Sequence, residues 1–198
     1  MRFTDSPVKA IKSISQRALS LYWHRLASGR KFPAIQEFLP GSRLHDLKQL
    51  VYWNVESHGG RRRFRAVYRG GNVAEVFRSP WEGKYMDEVV PISLKAFTLD
   101  AANECAESGH AIFTVLTTKD SNGQGIDCER LLLPFGEGEK VKQIVASLQL
   151  ISLTGEFTRQ SVLRKFEDSA HVPLAVRIKF DMMSSNAISP VMVTSLPD

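Results

Sequence analysis

The sequence predicts an α+β domain: a five-stranded antiparallel sheet with helices on one face, an N-terminal amphipathic helix and a C-terminal extension. Three observations carry this. Two segments, 13–28 and 92–108, place apolar residues at helical spacing. Strand-like segments come in hairpins, two before the second of those helices and three after it. Hairpins on both sides of a helical insert close into one antiparallel sheet covered on one face. The space between such a sheet and its helices is where a small ligand would sit.

Each element has its own signal. From Ser13 to Ser28, Ile14, Ala18, Leu21, Tyr22 and Leu26 fall on one helical stripe, with Trp23 beside them. Ser13 with Gln16 reads as a capping box, Gly29 as a helix stop, and Pro33 ends any continuation. Residues 34–48 read as a loop with a short turn. Gln49 to Glu56 is a short apolar strand, and "SHGG" joins it to "RRRFRAVYR" as a hairpin. Val73 to Phe77 is a short helix and "SPWEG" a turn. Ile92 to Ser108 carries Leu94, Phe97, Ala101 and Cys105 on one face, with Ser93 as its cap. Strands over Ala111–Thr118, Ile126–Phe135 and Val141–Leu153 follow, joined by "DSNGQG" and "GEGE". In the last, Ile144, Ala146, Leu148 and Leu150 share a face.

The chain divides into an N-terminal helix and linker (1–33), a central domain (34–153) and an extension (154–198). In the extension, Val162, Leu163 and Phe166 suggest a short helix. "LAVRIKFDM" alternates Leu174, Val176, Ile178, Phe180 and Met182 with polar residues, which reads as an amphipathic strand. That strand is expected to lengthen its own sheet; addition to a partner's sheet edge is the alternative.

Composition narrows the classes. Apolar residues make up 43%, enough for a core, and no run of about 18 apolar residues predicts a membrane span. Residues 1–33 lack the apolar stretch of a secretion signal. They share the basic, serine-containing character of a transit peptide, but the Leu-Tyr-Trp cluster suits a packed helix better. Cys105 and Cys128 form no metal spacing, which suggests two ordinary thiols and a cytoplasmic setting. The net charge of +5 is uneven. Residues 6–36 and 57–71 are basic without a single acid, and the rest of the chain is acidic. Basic patches of this kind attract phosphates, acidic partner surfaces or anionic lipid.

No local signal of catalysis is present. The five histidines are scattered, and G-x-S-x-G, P-loop and dinucleotide fingerprints are missing. The expectation is a protein that is not an enzyme. Cys105 in "NECAES" and Cys128 in "IDCERL" lack the Asn-Cys-Arg setting of flavin photochemistry. His110 reads as a turn residue rather than a haem ligand. The cofactor is left open.

The arginine strand alternates. Phe64, Ala66 and Tyr68 share one parity; Arg61, Arg63, Arg65, Val67 and Arg69 share the other. Phe64 and Tyr68, with Trp53, Phe97 and Phe113, are candidate pocket residues, core packing being the plainer reading. Tyr68 stands out because a buried hydroxyl needs a partner. Arg61, Arg63, Arg65 and Arg69 would face away from that pocket, as a solvated face or an anion or partner surface. A nucleic-acid surface interleaves aromatic and basic residues on one face, and here they lie on opposite faces. Nucleic-acid or cyclic-dinucleotide binding is therefore the alternative, and a small-molecule enzyme a more distant one.

"LYWHRLASGRKFP" resembles the opening of a PAS-like family of alphaproteobacterial signalling proteins, in Tyr22-Trp23, Leu26, Gly29-Arg30 and Pro33. "FRAVYRGGNVAEVF…WEGKYMDE" is similar to the family's strand and short helix, in Phe64, Arg65, Gly70, Phe77 and Gly83. "ERLLLPFGEGEKVKQIVASL" resembles its closing strands. The likeness spans about Ser15 to Leu153. Val67 stands where the family often has a second arginine, and Gly70-Gly71 where it has Gly-Thr. The resemblance implies a non-enzymatic sensory or adaptor module in signal transduction that binds a small molecule or a partner signalling protein. It also implies pairing through the helix before the sheet. Leu19, Tyr22, Trp23 and Leu26 are the candidate homodimer contacts, since they widen the helix's apolar face beyond one stripe. The alternative is a helix folded back on its own sheet.

Overall fold

The structure is a computed structural model that describes residues 2–38, 47–76, 80–119, 125–152 and 171–180. Its sheet is built around one long hairpin. β5 (Gly125–Glu137) and β6 (Lys140–Ser152) pair antiparallel over 13 residues each. They turn at Gly138, whose φ of 58° is a left-handed conformation that glycine adopts without strain. The apolar runs "LLLPF" and "IVASL" bury both faces of this hairpin, so it lies inside the sheet rather than at an edge.

β4 (Ile112–Lys119) flanks β5, and β2 (Leu50–His58) flanks β6. β3 (Arg61–Arg69) pairs with β2 and β7 (His171–Lys179) with β4, all antiparallel. β1 (Thr4–Pro7) runs parallel to β7 at the margin. The order is β1-β7-β4-β5-β6-β2-β3. The five expected strands are the contiguous run from β4 to β3. The expectation of a five-stranded, wholly antiparallel sheet is corrected: the described residues form seven strands of mixed direction. The amphipathic tail strand does lengthen its own sheet, as β7. The short helix expected around Val162, Leu163 and Phe166 lies outside the described residues, as does Met182.

Alternation assigns the two faces. Val51, Trp53, Thr114, Leu116, Arg130, Leu132 and Ala146 share one face through their strand pairings. That face meets α3 (Met86–Val89) and α4 (Ile92–Ser108), which follow α2 (Gly71–Val76). Phe113, Glu129, Phe135 and Ser147 share the other face, where α1 (Ile14–Ala27) packs. Helices therefore cover both faces, not one. α4 begins and ends at the expected residues, but its N-cap is Pro91 rather than Ser93.

α1 buries Gln16, Leu19, Ser20, Trp23 and Ala27. Ile14, expected on the apolar stripe, is 83% exposed, and Tyr22 and Leu26 are half-buried. The stripe was misplaced because two polar residues belong to the buried face. Gln16 Nε2 donates to the Ser147 carbonyl at 2.9 Å, and the Trp23 indole donates to the Pro134 carbonyl at 2.7 Å. The expected capping box is half present. Gln16 N donates to Ser13 Oγ at 3.3 Å, but the Ser13 amide is accepted by Glu129 Oε2 of β5 at 3.1 Å.

Candidate functional site

Between α3, α4 and the sheet lies a cavity of about 70 Å³. Trp53, Trp81, Met86, Phe97, Leu116 and Leu148 are among its apolar walls. Its polar lining side chains are Thr98, Thr114 and Arg130, with the Cys128 thiol beside them. A cavity needs about 10–15 Å³ of such volume per water, and a cavity of about 150 Å³ holds a benzene ring. The space suits a ligand of a few heavy atoms and is far too small for a flavin or haem.

α4 presents one face to this space because Leu94, Thr98, Ala101, Ala102 and Cys105 recur at helical spacing and are buried. Small residues at 101 and 102 bring the helix axis close to the sheet. Phe97, half-exposed, covers the cavity's side, with the Arg130 guanidinium 5.0 Å from its ring centre.

Of the five pocket residues expected from sequence, Trp53 and Phe97 line the cavity. Phe64 is buried in the core but does not line it. Phe113 pairs with Leu131 and so points to the α1 face. Tyr68, the favoured ligand contact, packs at a tilt against Tyr52, with ring centres 5.2 Å apart, and is 37% exposed on the α1 side of the sheet. A bulge explains Tyr68: Tyr52 pairs with Tyr68 but Trp53 with Ala66, which leaves Val67 unpaired. Past that extra residue the parity inverts. Tyr68 goes to the α1 face, and Arg69 comes to the cavity side, 5.8 Å from the Trp81 ring centre.

The expected row of four arginines is therefore broken, and its middle is engaged internally. Arg65 donates from Nε and Nη2 to both oxygens of Glu56, at 2.8 and 3.0 Å. Arg65 also donates to the Tyr85 hydroxyl at 2.6 Å, and that hydroxyl donates to Glu56 Oε2 at 3.0 Å. Arg63 lies 3.5 Å from the Tyr85 ring centre and reaches Asp87 at 3.0 Å and Glu88 at 3.1 Å. The Arg65 fork, and secondarily His58, hold the Glu56 carboxyl down at about 2. Arg61 remains exposed at the hairpin end.

Among the described residues no group of three or more His, Cys, Asp or Glu could hold a metal ion. Burial pushes the Cys128 thiol up to about 11 and that of Cys105 well above its ordinary value, so neither is a ready thiolate. Among the described residues no helix is long and apolar enough to cross a membrane.

Arg130, Thr114, Trp81 and Met86 were missed by sequence reading. The signal for Arg130 was available: it shares the parity of Cys128 and Leu132, so it is a cation on an inward face. Compared with known proteins, the chain matches no family model, no curated sequence and no solved structure.

Proposed function

We propose that this chain is a non-enzymatic sensory or adaptor module of the PAS-like kind, in which occupancy of the α4 cavity is signalled to a partner protein. The observation that carries the reading is the apolar cavity between the helical insert and the antiparallel strands. The five strands β4-β5-β6-β2-β3, split in sequence by that insert, give the PAS-like reading its architectural support. β5 supplies a route outward. Arg130 lines the cavity, while its neighbour Glu129 accepts from the amide of Ser13, the N-cap of α1, on the opposite face. A shift of β5 on ligand binding would be felt at both places. Signalling in a reducing cytoplasm is part of the same proposal.

Homodimerisation through α1 needs revision within this reading. Leu19 and Trp23, two of its four expected contacts, are each only 3% exposed and packed into their own chain. Tyr22 packs near Phe38 at 6.1 Å and, with Leu26, keeps part of its surface outward.

Native mass spectrometry of the freshly purified full chain tests the reading. A small retained adduct, or one that forms on titration, supports it. A chain that takes up no small molecule from a metabolite-sized panel contradicts ligand sensing. A mass that is monomeric at high concentration removes the homodimer.

A further inference from the structure

We infer that the α4 cavity takes a short-chain monocarboxylate, with Arg130 as the residue that recognises its carboxylate. The inference rests on the cavity being the sensing site and adds the ligand's chemical class.

Arg130 sits mid-strand in β5, on the parity that faces α4. Its Nε donates to Thr114 Oγ1 at 3.3 Å. Its Nη2 is sealed from solvent and meets no hydrogen-bond acceptor, although the residue as a whole is partly exposed. The cavity lining contains no Asp or Glu. Glu129, its neighbour in sequence, points to the other face of the sheet. The Cys128 thiol is neutral near pH 7, because burial raises it. Burial lowers Arg130 only to about 10, so the guanidinium stays charged. Among the described residues, the site thus holds one partly buried cation with no counter-charge in the cavity lining.

An uncompensated buried charge is costly, and the cost falls when an anion arrives with matching geometry. A carboxylate offers two oxygens to a guanidinium fork. Water could fill the space but would bring no charge. A phosphate ester or dianion would need more donors than one guanidinium and the Thr98 and Thr114 hydroxyls. The rest of the lining is aliphatic and aromatic, which selects an alkyl remainder. The volume of about 70 Å³ limits that remainder to a few carbons. Acetate to butyrate is the size range, and an aromatic acid is too large.

The test is calorimetric titration of the full chain with butyrate, and with butyramide as its neutral counterpart. A hydrogen bond to a charged group is worth enough to predict a preference for butyrate of about 10- to 100-fold. Arg130→Met should erase the preference while keeping butyramide binding. Arg130→Lys, which keeps the charge but loses the fork, should retain part of it. Equal binding of butyrate and butyramide by the wild-type chain would overturn the carboxylate assignment and leave the cavity as a neutral-ligand site. Binding of neither would overturn the carboxylate assignment, and the metabolite panel then decides the sensing site separately. A preference that survives in Arg130→Met would overturn the role of Arg130. Should that variant fail to fold, the wild-type ratio still decides the ligand class.

Discussion

The indole nitrogen of Trp23 donates to the carbonyl oxygen of Pro134 at 2.7 Å. Proline has no amide to give to a strand ladder, and β4 begins opposite Leu132, two residues short of this point. A side chain from α1 thus supplies the donor that meets this carbonyl of β5. The aromatic side chain that looked like a dimer anchor instead pins α1 to its own sheet.

Trp23→Phe keeps an aromatic side chain, removes the donor and leaves a void in the core that adds to the loss. Leaving that buried carbonyl without its partner is expected to cost about 1–3 kcal/mol. In a chain of this length each kcal/mol lowers Tm by about 2–4 °C. Thermal unfolding measures the loss, and light scattering should show the oligomeric state unchanged. A changed oligomeric state in a folded variant would contradict the inward role of Trp23.

Glu129 governs a pH effect. Burial raises its carboxyl, against the Ser13 amide, which lowers it. In the folded protein it therefore binds a proton more readily than in the unfolded chain. Its contribution to stability is fully present at acidic pH, below the ordinary carboxylate value, and is lost as pH rises through the raised one. Glu129→Gln should raise Tm at pH 7–8 and flatten the stability profile above the ordinary carboxylate range. An unchanged profile in that variant would assign the pH dependence elsewhere.

Glu56 acts in the opposite direction. Its carboxyl is depressed to about 2, mainly by the Arg65 hydrogen bonds. The stability it adds is present above the ordinary carboxylate value and is lost as pH falls towards about 2. The side chain is 26% exposed, so solvent still reaches it and screening moderates the effect. Tyr85→Phe, which removes one of its donors, should cost under about 1 kcal/mol in a thermal melt at neutral pH. A loss of several kcal/mol would mean that this cluster is a structural keystone.

Engagement of Arg63 and Arg65 also predicts weak nucleic-acid binding. Four free arginines on one face would give a salt slope of about −3.6 with duplex DNA. With two of them neutralised internally and Arg69 turned inward, a slope shallower than about −2 is expected in fluorescence anisotropy with random-sequence DNA. A slope near −4 would revive the nucleic-acid reading.

Arg130→Met should raise the stability of the unliganded chain, since an apolar side chain of similar length replaces an uncompensated buried cation. The expected gain is about 1 kcal/mol, or about 2–4 °C in Tm. A large loss would show that the Thr114 and Phe97 contacts make Arg130 a packing element.

The sequence was most legible where punctuation and period agreed. α4 starts after Pro91 and stops at Gly109, and β3 is bracketed by glycine pairs, so both came out with their true ends. It was least legible where tertiary partners satisfied polar groups. Gln16 and Ser20 occupy the buried face of α1, so a search for an apolar stripe settled on Ile14 instead. The bulge at Val67 has no glycine to announce it, and it sent Tyr68 and Arg69 to unexpected faces. β1 is four residues without alternation, and its partner β7 lies far away in the sequence. Arg130 follows Glu129 at the head of an apolar run, and only its parity set it apart from a solvent-facing charge.

The three tryptophans provide the most direct test of the cavity as the sensing site. Trp53 and Trp81 line it, while Trp23 lies on the opposite face of the sheet. Each gives one indole N–H resonance in a ¹H–¹⁵N spectrum of the full chain. On titration with butyrate, the Trp53 and Trp81 resonances should shift first and furthest, with Trp23 following by less. Spectra in which none moves, or in which Trp23 leads, would contradict the account.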